Sequence, residues 1–232
     1  MLDKKLWVGF LLLISVGLEA QGLNPRASVF GSASLLKGER NFTLFEEAFR
    51  SEYVTGGKIG VRGTIDMGDK WSLEAAYRFG NNNLHIVEEL GTTHAERRTF
   101  GIRQHQVTGS VLRFLNNRKE RIPLYVIAGG GFIRFSPTEE ARAQAAREFV
   151  NNPAGDVGAE NKRSFHFGAG VEANFASSWG IRIEILDHIA GIPRFGLPKS
   201  NPGGGADFYP VSGIMHDIEP SFGLVYRWRH ER

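Results

Sequence analysis

FHFGAGVEANF, residues 165–175, alternates without a break. Phe165, Phe167, Ala169, Val171, Ala173 and Phe175 share one face, and His166, Gly168, Gly170, Glu172 and Asn174 share the other. A period of two places successive side chains on opposite sides of an extended chain, so this is a strand with one apolar and one polar face. A helix would bring Phe165 and Ala169 together but would scatter the remaining apolar positions.

The same rhythm recurs in both directions. Trp179, Ile181, Ile183 and Ile185 oppose Gly180, Arg182, Glu184 and Leu186. Phe222, Leu224, Tyr226 and Trp228 oppose Ser221, Gly223, Val225, Arg227 and Arg229. Upstream, Trp71, Leu73, Ala75, Tyr77 and Phe79 oppose Ser72, Glu74, Ala76 and Arg78, while Ile59, Val61, Gly63 and Ile65 oppose Lys58, Gly60, Arg62 and Thr64. Three weaker segments complete the set: 27–37, 99–115 (Leu112 and Phe114 against Arg113) and 123–135, which is apolar on both faces around Gly129, Gly130 and Gly131. Pro220 lacks an N–H, which predicts a bulge or strand start there.

Connections of alternating length join these eight strands. Met67–Asp69, Asn116–Lys119 and Ala176–Ser178 are short; Gly38–Glu52, Gly80–Arg98, Ser136–Asn161 and Asp187–Gly213 are long. The third long connection, rich in Ala, Glu and Arg from Thr138 to Val150, predicts a helical turn or two. The fourth, through Asn201, Pro202 and Gly203–Gly205, reads as flexible. At the front, Lys4 and Lys5 precede the uncharged run from Leu6 to Leu18. Thirteen residues fall short of the about 20 a membrane-spanning helix needs, and basic residues before a short apolar run mark a secretion signal. Residues 1–20 are assigned to that signal, with cleavage after Gly17 as the alternative, and 21–232 to one barrel domain. No cysteine is present, which excludes disulfides.

The fold class is therefore all-β: an eight-stranded antiparallel up-and-down transmembrane β-barrel, short turns in the periplasm and long loops outside. A soluble ligand-binding barrel also alternates, with its apolar face inward. Aromatic residues at strand ends (Trp71, Phe79, Trp179 and Trp228) favour the membrane version, since interfacial girdles collect such residues. So does a polar face of small residues and mixed charge. The expected lumen charges are Lys58, Arg62, Glu74, Arg78, Arg113, Glu172, Arg182, Glu184 and Arg227.

Signal, strand number, loop alternation and the ending EPSFGLVYRW (219–228) resemble the OmpA-type barrel superfamily, which includes opacity-like surface proteins. The resemblance covers the whole chain after the signal and is architectural. It implies bacterial outer-membrane localisation, insertion by the barrel-assembly machinery, contact with outer-membrane lipid and lipopolysaccharide, and paired Arg and Glu filling the lumen. It also implies recognition of an extracellular ligand by the loops. Two departures stand out: Arg229–Arg232 follow the final aromatic residue, and no room remains for a C-terminal peptidoglycan-binding domain.

Asp187-His188 and His216-Asp217 fall near the outer rim of adjacent strands, with Ser212 and Ser221 nearby. Parity turns His188 and Asp217 inward and His216 outward. A hydrolytic set needs hydroxyl, imidazole and carboxylate in hydrogen-bond reach, and neither pair has a trusted metal spacing. No catalytic, metal or cofactor site is therefore expected. The triple glycine lacks the helix and Lys-Ser/Thr of a phosphate loop, and His85, His94, His105 and His166 are scattered. A net charge of +3 without a basic block gives no footprint for nucleic acid. The expected role is structural or surface-interacting. A narrow pore and an outer-rim lipid-modifying enzyme are the alternatives.

Overall fold

The computed structural model describes residues 24–37, 40–44, 47–90, 94–118, 120–148, 157–200 and 209–228. The signal assigned to 1–20, the Asn201–Gly205 stretch and Arg229–Arg232 lie outside them. The strands are β1 (Asn24–Lys37), β2 (Arg40–Leu44), β3 (Glu47–Met67), β4 (Trp71–Leu90), β5 (His94–Phe114), β6 (Leu124–Pro137), β7 (Glu160–Asn174), β8 (Trp179–Gly191) and β9 (Ile214–Arg227). One helix, α1 (Glu139–Glu148), lies between β6 and β7. From β2 to β9 each strand pairs antiparallel with the next, and β1 pairs with both β3 and β9. The sheet thus closes as an eight-stranded barrel, with β2 an outward continuation of the first strand along the top of β3.

Burial decides which face is inside. Ile59 is 69% exposed, Phe132 61% and Val29 60%, whereas Arg182 is 3%, Glu184 2% and Glu172 1%. An apolar exterior around a polar interior is the inverse of a water-soluble barrel, and it removes the ligand-barrel alternative.

The segments Gly38–Glu52 and Gly80–Arg98 are mostly strand rather than loop. β3, β4 and β5 run 20–21 residues, about twice the 9–11 a membrane strand needs, so their hairpins stand clear of the apolar belt. Pro220 makes no bulge: it faces outward and holds register opposite Ile185. Its missing N–H coincides with a gap in the β1–β9 ladder between Ser32 and Leu35. The irregularity instead falls in β3, between Val54 and Gly57.

α1 occupies the segment where helical turns were expected. Thr138 caps it, its Oγ1 accepting from the Ala141 N–H at 3.2 Å. Ala141 and Ala145, four apart, form its buried face.

Candidate functional site

The lumen is stacked in tiers, and strand parity sets each one. Nearest the short turns, Arg26 of β1 reaches Asp66 of β3 at 2.8 Å and Glu172 of β7 at 2.7 Å. Arg227 also pairs with Glu172, and Arg118 closes on Asp66 at 2.9 Å. In the middle tier Arg182 of β8 bonds Glu74 of β4 at 2.5 Å and pairs with Glu184. Arg62 donates to Glu184 at 2.9 Å, and the Tyr125 hydroxyl donates to the same carboxylate at 2.9 Å. Above it, Lys58 pairs with Asp217 and, at 2.6 Å, with Glu219. Arg78 Nε stands 3.4 Å from Glu219.

These groups pair with one another in charge, although Arg26 Nε, Arg62 Nε and both Glu219 oxygens make no hydrogen bond. Six buried carboxylates (Asp66, Glu74, Glu172, Glu184, Asp217 and Glu219) face five buried cations (Arg26, Lys58, Arg62, Arg78 and Arg182), with Arg118 and Arg227 at the lower end. A buried charge without a partner carries a desolvation penalty of several kcal/mol, so near-neutrality is a condition of filling a lumen this way. Rings complete the packing. The Arg62 guanidinium lies 3.9 Å from the Phe30 ring centre, and that of Arg182 4.6 Å from Tyr125.

A polar cluster adjoins the upper tier. Ser110 and His166 share a 2.8 Å hydrogen bond, and the His166 and His188 rings stack at 4.8 Å. The Gln106 amide donates to His188 Nδ1 at 2.7 Å, which leaves the Nε2 proton facing Glu219 at 3.2 Å. Gly129 makes this possible, because a Cβ there would stand 2.7 Å from His166.

The outer mouth is apolar. Leu36, Tyr53, Leu84, Ile102, Ile133 and Phe135 project inward from the extended strands, and Ile192, Phe195, Tyr209 and Val211 of the β8–β9 connection pack onto them. Glu160 of β7 holds that connection in place, accepting from the N–H groups of Arg194 and Phe195, the latter at 3.0 Å. Phe195 takes the left-handed conformation (φ 56°) followed by Gly196 (φ 90°). Burial pushes the Glu160 carboxyl up, but Lys162 and the two amides outweigh it and hold the group below the usual carboxylate range.

Eight of the nine residues assigned to the lumen from sequence point into it; Arg113 does not. It is exposed on the outer wall, over the Trp71 ring at 5.5 Å, while Leu112 and Phe114 turn inward. That strand inverts the usual polarity at its lower end because Leu112, Phe114, Tyr125, Ile127 and Leu186 form an apolar cluster inside the barrel. Arg26, Asp66 and Glu219 were missed. Asp66 and Glu219 continue the parity of Lys58–Thr64 and of Asp217, a signal available in the sequence. Arg26 sits in the poorly alternating first strand and gave none.

The rim residues do not converge. Asp217 bonds Lys58 and Ser34 inside the barrel, and His188 faces Glu219 and Gln106. His216 is outside, 2.8 Å from Asp187. Ser212 is exposed, whereas Ser221 is buried in the lumen. Among the described residues no group of three or more His, Asp or Glu is arranged to hold a metal ion. Trp71, Trp179 and Trp228 gather on the outer wall at the short-turn end, where Tyr226 meets Trp179 and Trp228 edge-on at 5.0 and 5.2 Å. Phe79 lies higher, against His105.

Comparison with known proteins agrees with this architecture. Residues 8–210 match the family model described as the outer membrane protein beta-barrel domain. No curated protein matches the sequence. The fold is similar to that of OprG from Pseudomonas aeruginosa, with TM-score 0.55 and 12% identity over 90% of this chain and 96% of that one. Neisserial surface protein A gives 0.45 at 10% identity over 89% and 97%. Ail of Yersinia pestis, solved with the heparin analogue sucrose octasulfate, gives 0.45 at 11% over 89% and 98%.

Proposed function

Because the chain belongs to the outer-membrane protein β-barrel domain family, we propose that it is a non-catalytic, non-conducting scaffold that presents its outer hairpins and loops for surface interaction. Its short turns face the periplasm and its extended hairpins the exterior. On this reading the first 20 residues direct export, the barrel-assembly machinery inserts the chain, and a ligand outside the cell is met by the loops. Loops on a rigid barrel are where recognition is placed at least cost to the scaffold.

The observation that supports the reading most is the filled lumen. Charged tiers span its length with every carboxylate engaged, and an apolar layer capped by Ile192, Phe195 and Tyr209 covers the outer mouth. An eight-stranded barrel is just wide enough for side chains to occupy its interior, and these side chains are large. The rim lipid-modifying alternative loses support from the separation of His216 and Ser212 from His188 and Asp217.

The test is electrical. The chain from Gln21 onward, folded and inserted into planar bilayers, is expected to give no conductance steps at neutral pH. Reproducible steps from the wild-type protein would replace the scaffold reading with a narrow pore.

A further inference from the structure

Two histidines lie in the lumen immediately beneath the apolar mouth. His166 of β7 and His188 of β8 are fully buried and stand opposite one another in register. Their rings stack at 4.8 Å. On β8, His188 is two residues below Ala190 and four below Ile192, and on β9 its register partner Asp217 is two below Met215. Ala190, Ile192 and Met215 all belong to the apolar mouth cluster, as do Tyr209 and Val211 of the β8–β9 connection. The histidine pair and the floor of the mouth are therefore one packed unit.

The charged groups facing the pair already cancel. Lys58 of β3 and Arg78 of β4 stand against Asp217 and Glu219 of β9, two cations to two anions. Glu184 of β8, which also reaches His166 electrostatically, is engaged by Arg62 and Arg182 in the tier below. The remaining strands present only neutral groups. β5 offers Gln106 to His188 and Ser110 to His166, β6 sets Gly129 against the His166 ring, and β1 provides Ser34, which bonds Asp217. A proton added to either ring thus meets no unmatched carboxylate. On His188 it would have to displace the Gln106 amide from Nδ1. On His166 it would go to Nδ1, which makes no hydrogen bond, and place a second charge against the stacked ring. An unmatched charge is strongly disfavoured in a packed interior and is tolerated where water reaches it.

We infer that His166 and His188 form an acid-operated latch on the outer mouth, closed while both rings are neutral and released when they take up protons. On release the β8–β9 connection lifts from the mouth and admits water to the pair. An imidazole in water takes its proton near pH ~6.5, so the open form binds two protons that the closed form does not. By linkage, the ratio of open to closed then rises toward about a hundredfold per pH unit below that value. The networks around Arg182 and Arg26, lower in the lumen, contain no histidine and stay closed. The latch therefore changes the face shown at the mouth without opening a pore.

The test exploits a chain without cysteine. Val211 is buried in the mouth and its neighbour Ser212 is exposed. The full barrel carrying V211C or S212C, in detergent micelles, is labelled with a charged methanethiosulfonate from about pH 8 to about pH 5, a window above the ordinary Glu value of about 4.3. Dividing the V211C rate by the S212C rate cancels the thiol's own pH dependence and reads the open fraction. With both histidines present, the ratio is expected to be flat above about pH 7 and then to steepen toward a hundredfold per unit. H166Q and H188Q should each reduce the limiting slope to about tenfold per unit. H166Q/H188Q should abolish it, and E160Q, whose carboxylate does not titrate in this window, should keep it. Compact unboiled gel mobility at neutral pH checks that each variant is folded. A flat ratio with both histidines present would overturn the latch without reference to any histidine variant. So would an undiminished slope in folded H166Q/H188Q, which would place the acid trigger elsewhere.

Discussion

Arg182 donates to Glu74 and Tyr125 and pairs with Glu184, so its removal leaves two buried carboxylates without their principal partner. Breaking such a pair costs about 3–5 kcal/mol, while neutralising both sides costs far less. Urea unfolding in lipid vesicles should therefore show R182M destabilised by about that amount, and R182M/E74Q, which leaves Glu184 paired with Arg62, much closer to wild type. An R182M curve lying on the wild-type one would contradict the paired lumen. A second contrast concerns glycine. At Gly60 an added Cβ would stand 2.6 Å from the Tyr77 carbonyl and closer still to the Phe30 ring, whereas at Gly63 it meets nothing within 4 Å. Overpacking typically costs about 1–3 kcal/mol, so G60A should lower the temperature at which unboiled protein loses its compact gel mobility. G63A should leave it unchanged or slightly raised. At this scale the sequence is readable wherever parity is strict. It misleads at Arg113, because a lumen that carries Phe114 and Tyr125 inside reverses the meaning of apolar and polar on that stretch.

Strands, hairpins and the helix obey different signals. Alternation locates β7, β8, β9 and the lower halves of β3 and β4, since half-burial against lipid is what alternation records. It does not reveal where strands stop. Past the apolar belt both faces of a hairpin meet water or a small mouth, so the segments 80–90 and 94–98 read as loop although they pair residue for residue. The mouth itself was not visible: Phe195 and Tyr209 come from a segment whose composition suggests only flexibility, and they pack because Glu160 fixes the turn beneath them. That pin carries a pH dependence. The Glu160 carboxyl sits below its ordinary value in the folded protein. Its contribution is then fully present above the ordinary Glu value of about 4.3 and is lost as pH falls through the lowered folded value. The protection factor of the Phe195 amide, measured against intrinsic exchange, should hold at pH 5 and above and fall once the pH drops below the ordinary Glu range. In E160Q the acid-dependent step should vanish. An undiminished protection factor in the wild type far into the acid range would show that the carboxylate does not hold the turn.

Across the whole molecule, the exterior and interior have exchanged the roles they play in water-soluble proteins. The apolar faces of all eight strands contribute to one continuous belt, and the buried charges are gathered inside the lumen. This arrangement explains a slightly negative mean hydropathy in a membrane-spanning chain, and it explains how a fold shared with OprG survives at 12% identity. The constraint is on the alternation and the pairing of charges, not on particular side chains. The most direct test of the inverted barrel uses the tryptophans remaining after Gln21, namely Trp71, Trp179 and Trp228, which are 44%, 45% and 41% exposed on the outer wall. Their fluorescence should be quenched by bromines placed on lipid acyl chains, most strongly near the headgroup and weakly at the bilayer centre, with little effect from aqueous iodide. Strong quenching by iodide together with none from any brominated lipid would put these faces in water and contradict the account.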